Sequence, residues 1–238
     1  YGLRTTGKTT LMRFLKDPRG AMQHYTDYIA GPYQPGGGRY LLFVYVNFHN
    51  FSRSDGSIFH LLLTELIDEL HDDDRFDIDL PVEPIDVEHS KGDAYKALKS
   101  VLIELAEAHH IRVAFLFDDF DVPLHNNLVD GDDDRLLRAL TDRAALIIGT
   151  EDPISHIRPD FDKDSPLLGI LRPEAIDLLK DNEARELITD VAAGADLTYT
   201  DAEIEFLLTA GGRQPFTLIT ACELYFNMRL DFPDIDEM

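Results

Sequence analysis

The first ten residues, YGLRTTGKTT, have a spacing that can bind a phosphate group. Gly2, Gly7, Lys8 and Thr9 fit the pattern G-x-x-x-x-G-K-[ST] without a mismatch. In this pattern the glycines let the backbone wrap closely around an anion, and the amides at the start of the following helix point at the phosphates. The lysine adds a positive charge, and the threonine hydroxyl can hold Mg²⁺. The sequence therefore predicts a phosphate-binding loop.

A second group of chemically capable residues follows an apolar segment in the middle of the chain. Residues 113–121 read VAFLFDDFD, which predicts a buried strand with carboxylates at its carboxyl end, where open α/β sheets bind their ligands. This is the Walker B pattern. Asp118 is predicted to hold Mg²⁺ through water, and Asp119 to orient the attacking water or accept its proton. The alternative is a strand and a turn capped by aspartates, and the phosphate loop upstream makes the catalytic interpretation preferable.

Thr150 is a third candidate, because it stands at the end of the apolar segment 144–149, AALIIG. This segment predicts a third buried strand. A polar residue in that place can reach between the two motifs and sense the terminal phosphate. A threonine that merely ends a strand is the alternative, so only the order of the motifs favours the sensor role.

These residues need a sheet to bring them together. Residues 40–48, YLLFVYVNF, form a nearly continuous apolar run rich in β-forming residues, which is typical of a strand buried on both faces of a parallel sheet. Apolar residues at helical spacing predict helices at 9–16, at 58–70 with Ser57 as the N-cap, and at 95–105 with Asp93 as the cap.

Several polar segments are predicted to connect these elements. Residues 31–39, GPYQPGGGR, indicate a flexible turn region. The acidic, proline-containing residues 71–88 favour a solvated linker over a calcium site, because their spacing matches no known calcium loop. Residues 130–134, DGDDD, predict an exposed loop before a helix. His109 and His110 are interpreted as a helix end, since the sequence offers no partners for a metal site.

From Ser165 onward the pattern changes to helices alone. One helix is predicted to start at Asp181 and stop at Gly194. The pair Thr200 and Glu203 predicts a capping box for a second helix. A third is predicted to begin near Pro215, after a break at residues 211–214.

The predicted division of the chain follows from this change of pattern. We expect an α/β core with a parallel sheet flanked by helices at residues 1–164, a small helical lid at 165–228, and an acidic tail or linker at 229–238. In known phosphate-loop folds a strand runs straight into the loop. Because the chain begins at Tyr1, inside the motif, we expect the first strand to lie upstream.

Composition narrows the possible functions of the 238 residues. The length suffices for a full core, and no stretch is long and apolar enough for a membrane span. The net charge of -23 argues against a broad nucleic-acid surface and fits either an acidic soluble protein or adaptation to high salt. The single cysteine, Cys222, is expected to be a plain core thiol and fits a cytoplasmic location, where thiols stay reduced.

Taken in order, these segments resemble the STAND class of signal-transducing P-loop ATPases, within the wider AAA-like group. GLRTTGKTTLMRFL is similar to the family's Gly-x-Arg-Arg-x-Gly-Lys-Thr start, FLFDDFD to its Walker B segment, and IIGTEDP to its sensor strand. LLKDNEARELI resembles the opening of the helical lid. GGRQPFTLITACELYF resembles the element through which the lid meets the nucleotide, with Gly212 and Pro215 at the matching positions.

The chain departs from the family at several positions. Thr5 stands where a second arginine is frequent, and Asp119 replaces the glutamate of fast hydrolases. The shorter side chain places the carboxylate about one methylene farther back, which suits a slow switch. No arginine can be assigned as a finger among Arg4, Arg158 and Arg213.

The resemblance implies a switch that binds ATP with Mg²⁺ and hydrolyses it slowly, so that the nucleotide state controls lid packing and assembly. Lys8, Asp119 and Thr150 would act in catalysis, and Thr9 and Asp118 would hold the metal. Its partners would be nucleotide, further copies of the chain on activation, and sensor and effector domains elsewhere in the polypeptide. The residues expected to contact nucleotide are Gly2, Leu3, Arg4, Thr5, Thr6, Gly7, Lys8, Thr9, Thr10, Gly212 and Pro215.

The sequence is also compatible with two other classes of function. One is a nucleotide-binding scaffold or interaction module with little hydrolysis. The other is a DNA-associated AAA-like ATPase resembling replication initiators, against which the acidic balance of the chain counts.

Overall fold

The computed structural model describes most of the chain and divides it into two compact units. The first unit comprises Tyr1 and Thr9–Glu174, and the second comprises Gly2–Lys8 and Ala175–Met238. The described residues are 1–2, 6–17, 19–21, 40–52, 54, 56–72, 78, 90–159 and 165–231.

A parallel sheet forms the centre of the first unit. Its strands are β1 (Tyr40–Asn47), β2 (Ile111–Asp118) and β3 (Ala144–Ile148), in the spatial order β1-β2-β3. The register places Asn47 opposite Asp118 and Phe117 opposite Ile148. The carboxyl ends of these three described strands therefore lie at one edge of the sheet, and Asp118 lies at that edge.

Helices connect and cover these strands. Their bounds are α1 (Lys8–Lys16), α2 (Ile58–Asp72), α3 (Lys91–Glu107), α4 (Asp121–His125), α5 (Gly131–Leu140) and α6 (Ile154–Ile157). α2 packs against α3 and β1, and α3 packs against β2. The amphipathic faces predicted from helical spacing supply the buried core here, including Leu62, Leu66, Leu98 and Leu105.

A cluster of phenylalanines fixes the backbone where β2 ends. The ring centroids of Phe48 lie 5.1 Å from those of both Phe117 and Phe120, in edge contacts. The Phe48 amide donates to the Asp118 carbonyl at 3.0 Å, and the Phe120 amide donates to the Gly149 carbonyl at 3.0 Å. The turn that carries Asp118 and Asp119 is thus held on both sides by the neighbouring strands.

The structure corrects two predictions about helix starts. Asp93 does not cap α3, because Ser90 is the N-cap and its hydroxyl accepts from the Asp93 amide at 3.2 Å. Asp130–Asp134 is not an exposed loop, because Asp130 caps α5 and Gly131 begins it. Asp133 and Asp134 are buried in the first turn, where carboxylates interact favourably with the helix N-terminus.

The prediction that residues 144–149 form a buried strand is also corrected. β3 ends at Ile148, and along it buried or half-buried residues alternate with exposed ones, such as Ala145 and Ile147. Alternating exposure indicates a strand covered on one face only. Among the described strands β3 is at the edge of the sheet.

The second unit contains three consecutive helices, α7 (Asp181–Gly194), α8 (Asp201–Gly211) and α9 (Pro215–Asp231). They pack around a separate small core that includes Ile188, Leu207 and Leu218. The predicted starts of α7 and α9, the end of α7 and the capping box of Thr200 and Glu203 are confirmed. Cys222 lies in this core, and burial raises the pKa of its thiol, as expected of a structural cysteine.

The fold class predicted from the sequence, a parallel sheet flanked by helices and followed by a helical region, is confirmed. The predicted turn at 31–39 lies outside the described residues, as does nearly all of the predicted linker at 71–88. Within the ranges that the structure describes, no helix combines the length and the apolar character that crossing a bilayer requires.

Candidate nucleotide site

The phosphate loop ends where helix α1 begins, at Lys8. The Lys8 side chain is largely buried, and its ammonium group donates to the Gly2 carbonyl at 2.5 Å. This contact closes the loop on itself between the first glycine and the lysine of the motif. Gly7 has a φ of 95°, a conformation that glycine adopts without the steric cost of a Cβ.

Gly2 is required in this loop for a different reason: there is no room for a side chain at its position. A Cβ on Gly2 would lie 2.6 Å from the Ile176 carbonyl oxygen and 2.9 Å from the Thr6 hydroxyl. Both distances are shorter than a nonbonded carbon can tolerate, so any larger residue would displace the backbone around it. Of the remaining predicted loop residues, Leu3, Arg4 and Thr5 lie outside the described residues, Thr6 is buried, and Thr10 is exposed.

The two sequence motifs meet in one hydrogen bond. The Thr9 hydroxyl, in the first turn of α1, donates to Oδ2 of Asp118 at the end of β2, at 2.7 Å. The Asp118 side chain is almost fully buried, with 1% of the residue exposed. Residues 109 positions apart are thus in direct contact, as the predicted shared metal site requires.

The second carboxylate oxygen of Asp118 is unsatisfied. Among the described residues Oδ1 is buried and has no hydrogen-bond partner. A buried acceptor without a donor costs free energy, about 1–3 kcal/mol. Gly149, at the end of β3, lies next to this atom, since a Cβ added there would be 3.6 Å from Oδ1 and only 2.6 Å from the Met12 methyl carbon.

This donor set fits a magnesium ion. The ion prefers oxygen ligands and commonly uses one or two carboxylates together with substrate phosphates and water. The unsatisfied Oδ1 of Asp118 and the adjacent Thr9 hydroxyl supply oxygen atoms of the required kind. Among the described residues there is no group of three or more His, Cys, Asp or Glu side chains that could hold a metal ion by themselves.

Sequence reasoning missed Tyr45, which contacts the same carboxylate. Its hydroxyl donates to Oδ2 of Asp118 at 2.7 Å. Burial, followed by this hydrogen bond and the Asp118 charge, raises the pKa of Tyr45 to about 12, so the phenol keeps its proton at neutral pH. In the β1–β2 register Tyr45 is opposite Leu116 and Asn47 is opposite Asp118. Strand alternation could have placed Tyr45 on the face of Asp118, but only once that pairing was known.

Asp119 adopts a left-handed conformation with a φ of 55°, which aspartate tolerates better than most residues. About a third of its side chain is exposed, and Oδ2 lies 3.5 Å from Nδ1 of His49. Its neighbour Asp118 is buried, so the two adjacent carboxylates have different environments. His49, in the turn after β1, is a second contact that the sequence interpretation did not identify.

The other predicted site residues lie as follows. Thr150 is buried, and its hydroxyl donates to the Asp152 carbonyl at 2.7 Å, so its sensor role stays a prediction. Gly212 follows α8 with a φ of 65°, and Pro215 is the first residue of α9. Of the candidate arginines, Arg158 donates to the Val129 carbonyl at 3.3 Å and Arg213 is exposed.

No protein-family model matches this sequence, and the curated proteins provide no match. Several solved structures, however, have a similar fold. The ORC2 protein of Aeropyrum pernix, in its ADPNP-ADP complexes, superposes with a TM-score of 0.61 at 18% identity over 98% of this chain and 56% of that chain. Its ADP form gives a TM-score of 0.59 at 16% identity, with the same shares of both chains.

A Walker-type ATPase of Pyrococcus abyssi superposes with a TM-score of 0.60 at 16% identity, over 95% of this chain and 61% of that chain. This chain therefore spans 56 to 61% of the length of these structures. At such low identity the likeness shows the fold alone, a parallel sheet flanked by helices and followed by a helical region.

Proposed function

We propose that this chain is an ATP-binding P-loop ATPase of the STAND or AAA-like kind that works as a slow nucleotide-dependent switch. The observation that carries the proposal is the hydrogen bond between the Thr9 hydroxyl and Asp118. It joins the threonine of a phosphate-loop pattern to the first carboxylate of a Walker B pattern, which is the pairing that holds Mg²⁺ in P-loop NTPases.

In this proposal the loop residues bind the phosphates and Lys8 supplies the charge. The Lys8 ammonium donates to the Gly2 carbonyl in the structure, so phosphate binding would replace a neutral acceptor by an anionic one. Thr9 would ligate Mg²⁺, and Asp118, whose Oδ1 accepts no hydrogen bond from the described residues, would hold the ion through water. The ion would neutralise charge on the transferred phosphoryl group. Asp119, more exposed than Asp118, would orient the attacking water or accept its proton.

The remaining parts of the proposal come from the resemblance to STAND proteins. Nucleotide state would control lid packing and assembly, with further copies of the chain and with sensor and effector domains as partners. Thr150 would act as the sensor, Gly212 and Pro215 would contact nucleotide, and the protein would be cytoplasmic. The chain would divide into a nucleotide-binding core at residues 1–164, a helical lid at 165–228 and an acidic tail or linker at 229–238.

A nucleotide-binding module with little hydrolysis is the second candidate. Asp119, the residue after Asp118, favours this candidate. Its Oδ2 lies 3.5 Å from Nδ1 of His49. A carboxylate that is shorter than the glutamate of fast hydrolases reaches less far, and the contact with the His49 imidazole holds Asp119 beside another side chain. Such a module would bind Mg²⁺ and nucleotide as the ATPase does but would turn over very slowly.

Calorimetry of ATP binding tests the shared core of both candidates. We expect binding that requires Mg²⁺ and that falls at least tenfold, about 1.4 kcal/mol, in Lys8→Ala. Lys16→Ala is the matched control, because Lys16 ends the same helix and pairs with Glu69 at 2.5 Å, outside the loop. Thermal unfolding of each variant shows whether it is folded. Absence of ATP binding in the folded wild type would contradict the proposal.

A further inference from the structure

The hydroxyls of Tyr45 and Thr9 share one oxygen of the Asp118 carboxylate. Both donate to Oδ2 at 2.7 Å, and Oδ1 accepts no hydrogen bond from the described residues. Two donors on one oxygen and none on the other define a single orientation of the carboxylate plane. The oxygen without a donor among the described residues is therefore held in a fixed place.

The two donors differ in what else they could do. Thr9 belongs to the phosphate-loop pattern, and its hydroxyl is the group expected to ligate Mg²⁺ when nucleotide binds. A hydroxyl would ligate the ion through an oxygen lone pair and could still donate its hydrogen to Asp118. Tyr45 lies in β1, outside both motifs. We therefore expect its hydrogen bond to Asp118 to persist when nucleotide binds.

The backbone around Tyr45 makes this contact rigid. β1 is paired with β2 in parallel over its whole length, from Tyr40 opposite Ile111 to Asn47 opposite Asp118. The Phe48 amide extends the pairing by donating to the Asp118 carbonyl at 3.0 Å. The strand pairing fixes the main chain of both residues. Only the side-chain torsions of Tyr45 and Asp118 then remain to be restricted when their hydrogen bond forms.

We propose that Tyr45 is a positioning residue for the metal site, holding the Asp118 carboxylate in place beside the Thr9 hydroxyl that would ligate Mg²⁺. The inference rests on the proposed function and adds to it a residue that neither nucleotide motif contains. Tyr45 acts through Asp118 and does not itself contact nucleotide or metal. Its removal affects how well Mg²⁺ supports nucleotide binding, and leaves the affinity for nucleotide without metal unchanged.

Tyr45→Phe tests this role because it removes one oxygen atom and keeps the aromatic ring. Calorimetry measures the affinity for the non-hydrolysable analogue ADPNP across a series of Mg²⁺ concentrations and in EDTA. We expect the Mg²⁺ concentration for half-maximal binding to rise roughly tenfold, as for loss of a hydrogen bond to a charged group, with the affinity in EDTA unchanged. The matched control is Tyr40→Phe, the same chemical change at the exposed first residue of β1, which we expect to leave both affinities unchanged.

A double-mutant cycle separates positioning from packing. In the Asp118→Asn background, Tyr45→Phe should cause no further loss of Mg²⁺ dependence, because the carboxylate that it orients is absent. An equal loss in both backgrounds, or an equal loss with and without Mg²⁺, would show a structural role and overturn the inference. An unchanged Tyr45→Phe alongside a wild type that binds Mg²⁺ and ADPNP would overturn the inference and leave the proposed function intact. A folded wild type that does not bind ADPNP would overturn both.

Discussion

Two adjacent carboxylates end the central strand, and their surroundings suit them to different tasks. Asp118 is buried and receives hydroxyl hydrogen bonds, whereas Asp119 is partly exposed and faces His49. The left-handed φ of Asp119 turns the chain between them. At the scale of single residues, this difference supports a metal-binding role for the first carboxylate and a water-directed role for the second.

Replacement of Asp119 by asparagine tests the second role. Because asparagine tolerates the left-handed conformation about as well as aspartate, we expect the protein to stay folded and to keep its affinity for nucleotide. We expect ATP turnover to fall about 100-fold, since the amide cannot accept the proton of water. Turnover is measured by phosphate release under saturating Mg²⁺ and ATP.

Asp196→Asn is the matched control, because Asp196 is exposed, has a φ of 56° and lies in the turn after α7. It makes the same chemical change in the same backbone conformation. If Asp119→Asn turned over ATP at the wild-type rate, Asp119 would lose its catalytic role. The module with little hydrolysis would gain support only if the wild-type rate itself were very low.

At the scale of elements, a lysine joins the first turns of two helices. Lys91, the first residue of α3, pairs with the α5 cap Asp130 at 2.7 Å and with the buried Asp133 at 2.9 Å. Burial raises the pKa of Asp133 more than the hydrogen bonds from the Asp130 amide and Lys91 lower it. Burial also raises that of Asp130, but the hydrogen bonds from Lys91 and from backbone amides outweigh burial and lower the pKa to about 2.

We expect Lys91→Met to lower the free energy of unfolding by about 1–3 kcal/mol at neutral pH, because it leaves Asp133 buried without its cation. Urea denaturation measures this value. Lys96→Met is the matched control, since Lys96 lies on the same helix and pairs with Asp93 at the surface at 3.3 Å. Its expected cost is below about 0.5 kcal/mol. Equal costs for the two variants would show that the link between α3 and α5 adds no stability.

Acid should reduce the difference between the wild type and Lys91→Met. A carboxylate with a lowered pKa stabilises the fold above the pKa that it has when unfolded, and this contribution disappears as the pH falls through the folded pKa. For Asp130 that interval extends from its usual value of 3.8 down to about 2. Urea denaturation at a series of pH values checks this. A difference that stayed constant through that interval would mean that Lys91 does not act through an ionised Asp130.

At the scale of the whole molecule, charge is the dominant feature. The chain has 45 acidic and 22 basic residues and a net charge of -23. Repulsion among like charges destabilises a compact state, and salt screens that repulsion. We expect the midpoint of thermal unfolding to rise by several degrees between about 0.05 M and about 1 M KCl.

An equal osmolality of sorbitol is the control, because it is uncharged and leaves the repulsion unscreened. If both cosolvents raised the midpoint equally, the rise would come from general exclusion of the cosolvent from the protein surface. If the midpoint did not rise with KCl, the hypothesis of adaptation to high salt would fail.

The sequence by itself determined the features that depend on residues close together in the chain. The phosphate-loop spacing of Gly2, Gly7, Lys8 and Thr9, the capping box of Thr200 and Glu203, and the apolar run of β2 are all local patterns. Local patterns fix helix ends and strand segments because turn geometry and side-chain periodicity act over a few residues. The α/β fold class followed from the order of those segments.

Only the tertiary structure decided which distant residues meet. Tyr45 and Asp118 are 73 positions apart, and their contact depends on the parallel pairing of β1 and β2. The burial of Asp133 and the exposed face of β3 likewise depend on which elements lie beside them. A one-residue change in strand register would move each side chain to the other face of the sheet. The residues that contact Asp118 therefore could not be predicted from the sequence segment around it.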